Sequence, residues 1–126
     1  MVKRKGIVVL DDDASVRTAV ERVLKVYGFD AQVFDTVDGF LDGARFDQAS
    51  CLVLDINING HCGIELSRRL MRSGVSLPVI FITGVANEDT RREAFAAGCS
   101  AYLVKPFRMR DLIGAIEQAS SCQAAS

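Results

Sequence analysis

Four short apolar runs in this chain each end in polar residues. Asp11, Asp12 and Asp13 follow Ile7–Leu10, and Asp55 follows Cys51–Leu54. Thr83 follows the run ending at Ile82, and Lys105 follows Val104. Carboxylates, a hydroxyl and an ammonium form a chemically coherent set if the fold gathers them. Two carboxylates about 4 Å apart repel by roughly 4 kcal/mol at an effective dielectric near 20, so such a cluster calls for a cation. Hard oxygen donors with few imidazoles or thiolates favour Mg²⁺, which takes one or two carboxylates and a phosphoryl oxygen. Lys105 and the Thr83 hydroxyl could then bind the other phosphoryl oxygens. This is the chemistry of phosphoryl transfer, catalysed mainly by positioning and charge neutralisation.

The elements that must position these residues alternate along the chain. Five short runs rich in Val, Ile, Leu and Phe read as strands: Gly6–Leu10, Ala31–Phe34, Cys51–Leu54, Pro78–Ile82 and Ala101–Val104. The second is short and half polar, as at a sheet edge. Between them the apolar period becomes helical. Val16, Val20, Val23, Leu24 and Tyr27 mark the first helix, ahead of a Gly28 cap, and Val37, Phe40 and Leu41 the second. Ile64, Leu70 and Met71 mark the third, Ala94, Phe95 and Ala97 the fourth, and Met109, Leu112, Ile113 and Ile116 the fifth. Such α/β alternation predicts a parallel sheet between helical layers, with all strand exits on one rim. Ligands in such folds bind beyond the carboxyl ends of the strands. Asp35, leaving the second strand, falls to the side. Asp13 is read as the N-cap of the first helix, and His61 as a loop residue.

Composition narrows the class. The 126 residues predict one domain, and 49% hydrophobic residues suffice for a core. No apolar run reaches the roughly 20 residues of a membrane span, and Ile7–Leu10 is too short for a signal-peptide core. A cytoplasmic location with no membrane contact is therefore expected. The net charge is −1 with dispersed basic residues, so no nucleic-acid-binding surface is expected on this domain. Cys51, Cys62, Cys99 and Cys122 lie far apart beside a single histidine, and are read as free thiols rather than a zinc site. The glycine pattern of a dinucleotide-binding turn is missing after the first strand, where three anions stand instead. The final "ASSCQAAS" is small and polar, so residues 1–119 are read as the domain and 120–126 as a tail or the start of a linker.

Taken in order, Asp11-Asp12, the Asp55 strand exit, "FITG" with Thr83, and "KPF" with Lys105 resemble the receiver domain of two-component response regulators. The resemblance runs from Ile7 to about Ala119. It implies a doubly wound five-stranded parallel sheet, order 2-1-3-4-5, with five helices in a flavodoxin-like three-layer sandwich. It also implies that Asp55 takes a phosphoryl group from a sensor histidine kinase. Mg²⁺ would be held by Asp12 and Asp55, by Asp11 through water, and by the backbone carbonyl of Asn57. Lys105 would pair with the phosphoryl group, while Thr83 and Tyr102 would act as the switch that alters the face of the fourth helix, fifth strand and fifth helix. A cis Lys105–Pro106 bond, a phosphorylation-dependent homodimer and a helix-turn-helix DNA-binding output beyond this domain also follow from the resemblance. Such a domain is a signalling switch and not an enzyme, apart from self-phosphorylation from a phosphodonor and slow autodephosphorylation.

Two positions depart from the family pattern. Asn59 stands where proline is usual four residues after the phosphorylated aspartate, and Cys62 precedes Gly63 where an acid or small polar residue is common. They put the stiffness of that loop in question. Two rival readings stand beside the main one. Asp11-Asp12-Asp13-Ala14-Ser15-Val16 approximates the nucleophile motif of haloacid-dehalogenase-like Mg²⁺-dependent phosphatases, with Asp11 as nucleophile. Only 21 residues follow Lys105, however, with no acidic pair among them, and that reading leaves Asp55 idle. The other rival is a receiver-like scaffold that is never phosphorylated.

Overall fold

The central strand β3 (Ala49–Asp55) is buried at every position, which is why its sequence is apolar without alternation until the terminal aspartate. In the computed structural model it lies between β1 (Arg4–Leu10) and β6 (Val79–Thr83), with β2 (Phe29–Phe34) and β7 (Ala101–Val104) at the edges. The backbone is described for residues 4–125 and the side chains for residues 6–120. All four pairings in this sheet are parallel, and the order β2-β1-β3-β6-β7 is the expected 2-1-3-4-5.

The two faces of the sheet carry separate cores. Ile7 and Val9 of β1, with Cys51, Val53, Ile80 and Ile82, pack against Val20 and Leu24 of α1 (Ala14–Val26). Leu112, Ile113 and Ile116 of α5 (Met109–Ala125) complete that side. The alternate residues Val8, Leu10, Leu52, Leu54 and Phe81 face Phe40 of α2 (Val37–Gly43). Ile64, Leu66 and Leu70 of α3 (Gly63–Arg72), and Ala94 of α4 (Glu88–Ala96), cover the same face. The two-residue alternation of each strand thus assigns its side chains to two helical layers.

Several boundaries differ from the sequence reading. β2 begins two residues earlier, at Phe29, because Gly28 (φ +86) turns the chain directly out of α1. The helix α5 continues to Ala125, through the segment read as a tail. At its start that segment is tied down by Ser120 Oγ, 3.2 Å from Ser50 Oγ. Tyr27, Met71 and Phe95, which mark the apolar period of their helices, are 46%, 59% and 45% exposed. Tyr27 is already the C-cap, while Met71 and Phe95 each follow a buried residue and so lie about 100° around their helices. Phe95 instead receives the Arg91 guanidinium, 5.0 Å from its ring centroid. Cys51, Cys62 and Cys99 are free thiols, as expected, and the Cys122 side chain lies outside the described residues. Among the described residues, no helix is long and apolar enough to cross a membrane.

One element has no counterpart in the sequence reading. Between β3 and α3 the chain forms a two-stranded antiparallel hairpin, β4 (Asn57–Ile58) and β5 (His61–Cys62). Its two-residue turn is Asn59-Gly60, with φ of +51° and +84°. Positive φ at both central residues is the requirement of a type I′ turn, for which Asn-Gly is the preferred pair.

Candidate functional site

The parallel topology brings Asp11, Asp12, Asp55 and Lys105 to one rim. Asp55 ends β3 in register with Ile82, and the following Ile56 N–H donates to the Ile82 carbonyl, 2.9 Å away. The chain then turns, and the Asn57 N–H donates to Asp55 Oδ1 at 3.1 Å. This bond fixes one carboxylate oxygen and leaves Oδ2 facing Lys105, whose Nζ is 3.0 Å away. Lys105 follows β7, its N–H donates to the Thr83 carbonyl at 2.7 Å, and the Lys105–Pro106 bond is cis, as expected.

The same ammonium lies 3.0 Å from Asp11 Oδ2. Asp11 is fully buried, and its Oδ1 accepts from the Asp13 N–H at 2.9 Å. Its Oδ2 takes no hydrogen bond of acceptable angle, so the ion pair with Lys105 is its only polar contact among the described residues. Burial pushes the Asp11 carboxyl above its ordinary value of 3.8, with the nearby Asp55 charge adding to the rise. The Asp13 N–H and Lys105 oppose that rise without cancelling it. For Lys105, burial acts to lower the pKa, but the two carboxylates outweigh it and the ammonium is held above its usual range. The Lys105 ammonium pairs with two of three acids, Asp11, Asp12 and Asp55, whose ligand oxygens all lie within 4.8 Å of one another. A hard divalent cation suits this donor set, because the orphaned Asp11 oxygen and the uncompensated negative charge would both be satisfied by it.

Asp12 is exposed, and its Oδ2 accepts from the Asn59 N–H at 3.0 Å. Asp13 is the N-cap of α1, as read from the sequence, with its Oδ1 accepting from the Ser15 N–H at 2.9 Å. Thr83 is at the same rim and buried, but its hydroxyl turns to its own loop. The Val85 N–H donates to Oγ1 at 3.2 Å, and Oγ1 lies 3.4 Å from the Val85 carbonyl. Tyr102 is partly buried on β7 in register with Phe81, and its ring centroid lies 6.4 Å from that of Phe95. Its hydroxyl is buried without a hydrogen-bond partner among the described residues. Asp35 lies to the side, as expected, and only its carbonyl touches the hairpin, accepting from Asn59 Nδ2 at 3.1 Å.

Three contributors escaped sequence reasoning. Arg17 Nη1 donates to the Asp11 carbonyl at 2.9 Å, which pins the turn that carries the acids. Its position six residues on, at the end of the first turn of α1, gives no motif-level signal. Asn59 had one, since Asn-Gly is a hairpin signature. Gly63 is the third. A Cβ there would overlap the Asp55 carbonyl oxygen and lie 3.0 Å from the Asp55 carbonyl carbon and from Ile56 Cα. The Gly63 N–H donates to the Ile56 carbonyl at 2.6 Å, so only glycine permits this approach.

Residues 7–117 match the family model described as the response regulator receiver domain. The chain is 32% identical over 113 residues to the response regulator protein TodT of Pseudomonas putida, covering 90% of this chain and 50% of TodT. It is 33% identical over 119 residues to the transcriptional regulatory protein FixJ of Bradyrhizobium diazoefficiens, covering 94% of this chain and 58% of FixJ. The chain thus spans about half the length of the curated relatives it matches. Among solved structures, the response regulator StyR superposes with a TM-score of 0.85 at 36% identity, covering 97% of this chain and 62% of StyR. With an acidic rim closed by one lysine, on a sheet of this order and over nearly all of its length, this chain belongs to the response regulator receiver domains.

Proposed function

We propose that Asp55 is the phosphoacceptor of a phosphorylation-dependent switch. The observation that carries this is the ammonium of Lys105, 3.0 Å from both Asp55 Oδ2 and Asp11 Oδ2, with Asp12 completing the acidic cluster. A carboxylate oxygen of Asp55 attacks the phosphorus of a sensor kinase phosphohistidine. The P–N bond breaks as the P–O bond forms, and the imidazole nitrogen keeps the electron pair and takes a proton. Asp11, Asp12, Asp55 and the Asn57 carbonyl would hold Mg²⁺, which supplies charge neutralisation at the transferring phosphoryl oxygens. Lys105 then exchanges its carboxylate partner for a phosphoryl oxygen. Removing the Asp11 charge would not serve this scheme, since the acid must stay anionic to anchor the cation.

The product acyl phosphate presents a new dianionic acceptor to Thr83. Among the described residues its hydroxyl holds the Val85 backbone alone, at 3.2 and 3.4 Å, and charge-assisted bonds are roughly twice as strong as neutral ones. Phe81, two residues before Thr83 on the same sheet face, is in register with Tyr102. A shift of Thr83 therefore opens space that Tyr102 can take, altering the face of α4, β7 and α5. On this reading the receiver occupies residues 1–119 and the helical segment after it begins a linker. The protein works in the cytoplasm, self-associates more tightly when phosphorylated, and controls a DNA-binding output of helix-turn-helix type. The name of FixJ as a transcriptional regulatory protein supports that last element. Catalysis is confined to self-phosphorylation and slow autodephosphorylation. Asp11 as a phosphatase nucleophile is disfavoured, because its side chain is fully buried with one oxygen on the Asp13 N–H and the other beside Lys105.

Sedimentation and amide exchange with Mg²⁺–beryllofluoride, a phosphate mimic, test the switch. Tighter self-association and altered exchange within residues 87–119 are expected. Binding of the mimic that leaves both unchanged would contradict the assignment of the output face.

A further inference from the structure

The Asn59-Gly60 turn touches the acidic cluster in a way that proline, the residue usual there in the family, could not. The Asn59 N–H donates to Asp12 Oδ2 at 3.0 Å. Proline has no N–H to give. The Asn59 side chain makes a second tie, with Nδ2 donating to the Asp35 carbonyl at 3.1 Å. Asn59 sits at φ +51°, a left-handed conformation in which asparagine is far more frequent than other non-glycine residues. The hairpin that follows holds this geometry through the Asn57–Cys62 and Ile58–His61 pairs.

Asp12 otherwise has little to fix it. It is exposed, in contrast to the buried Asp11 and Asp55, and its other oxygen takes no hydrogen bond from the described residues. A free aspartate at a loop tip samples several rotamers, and ligation of a cation must select one. We propose that Asn59 is a positioning residue of this site: its backbone N–H holds one oxygen of Asp12 and so presents the other to the divalent cation. The inference rests on the reading of Asp11, Asp12 and Asp55 as the cation site. Hydrogen-bonded partners of metal-ligating groups typically contribute about 10–100-fold to metal affinity, and an exposed carboxylate belongs at the lower end of that range. The side-chain bond to Asp35 serves the turn and not the cation.

Two substitutions separate these roles. Asn59→Gly keeps the backbone donor and the positive φ while losing only the Asp35 tie. Asn59→Pro removes the donor, and Gly60 at φ +84° can still serve the third position of a type II turn with proline at the second. Calorimetric titration with Mg²⁺ should give an affinity for Asn59→Gly within about threefold of the parent, and one about tenfold weaker for Asn59→Pro. Equal affinity in the parent and Asn59→Pro overturns the positioning role while leaving the cation site intact. A parent chain that binds no Mg²⁺ overturns both. Where Asn59→Pro does not fold, amide exchange of Asn59 in the metal-free protein decides. Replacing the acceptor by Asp12→Ala should speed that exchange by about tenfold or more, and an unchanged rate overturns the proposal.

Discussion

Replacing Lys105 by methionine would remove the one ammonium that faces Asp11 and Asp55 while keeping most of the side-chain stem. Each N–O distance is 3.0 Å, so each attraction amounts to about 5 kcal/mol at an effective dielectric near 20. The two carboxylates, with ligand oxygens no more than 4.8 Å apart, repel by at least about 3.5 kcal/mol on the same scale. Desolvation of the ammonium, which is 19% exposed, offsets much of the gross attraction. The variant also has an escape, because the buried Asp11 can take up a proton. At pH 7.5 that uptake, measured from the ordinary value of 3.8, caps the cost of its uncompensated charge at about 5 kcal/mol. A loss of about 2–4 kcal/mol is therefore expected without metal, within the range seen when one partner of a buried pair is removed.

The pH dependence carries a definite sign. The folded-state pKa of Asp11 is already raised, and losing Lys105 raises it further. At Asp11 the folded chain then binds a proton more tightly than the unfolded chain, so this group's contribution to stability is fully present below the ordinary value of 3.8 and is lost as pH rises through the folded value. Urea unfolding of parent and Lys105→Met in EDTA, at pH 7.5 and pH 5, should show a deficit that shrinks at the lower pH. Millimolar Mg²⁺ should recover more stability in the variant than in the parent, because the two acids then have no other cation among the described residues. An unchanged midpoint at pH 7.5, or a deficit that grows on acidification, would refute this electrostatic account of the rim.

Two further changes test the architecture around it. Gly63→Ala should cost about 1–3 kcal/mol in urea unfolding, the range for overpacking, because its Cβ meets only backbone of Asp55 and Ile56. It should also slow phosphorylation by displacing Asp55, and a neutral outcome on both would show that the loop yields freely. The thiols should differ sharply toward iodoacetamide at pH 8. Cys62 is exposed and should be labelled in the native protein, whereas Cys51 is buried with its pKa pushed up to about 12 and should be labelled only on unfolding. Early labelling at Cys51, read by peptide mass mapping, would indicate that β3 opens locally.

The parts of the fold legible in the sequence are those where one physical demand dominates. Ile7–Leu10 and Cys51–Leu54 are apolar throughout because both faces of the inner strands are covered, and the acids that follow them mark the strand exits. Asp13 is legible as a cap because it stands immediately before the first helical turn, and its side chain accepts from the Ser15 N–H. The less legible elements are those where two demands overlap. Asn59 and Gly60 looked like a weakened loop when judged against proline, although the same pair is the strongest short hairpin signal. "ASSCQAAS" carries no helical signal in its polarity, yet alanine is the best helix former and α5 runs to Ala125. The Lys105 contact with both acids was legible only as a shared rim. That Thr83 holds Val85, and that the Tyr102 hydroxyl is buried without a partner, depends on rotamers that spacing does not encode.

The central claim is that Asp55, and not Asp11, is the group that takes the phosphoryl. Incubation with acetyl phosphate or phosphoramidate and Mg²⁺, followed by intact-protein mass measurement, tests it most directly. One added phosphoryl mass is expected, labile to hydroxylamine as an acyl phosphate is, suppressed by EDTA and absent from Asp55→Asn. Labelling retained in Asp55→Asn and lost in Asp11→Asn would contradict the account and move the nucleophile to the first strand.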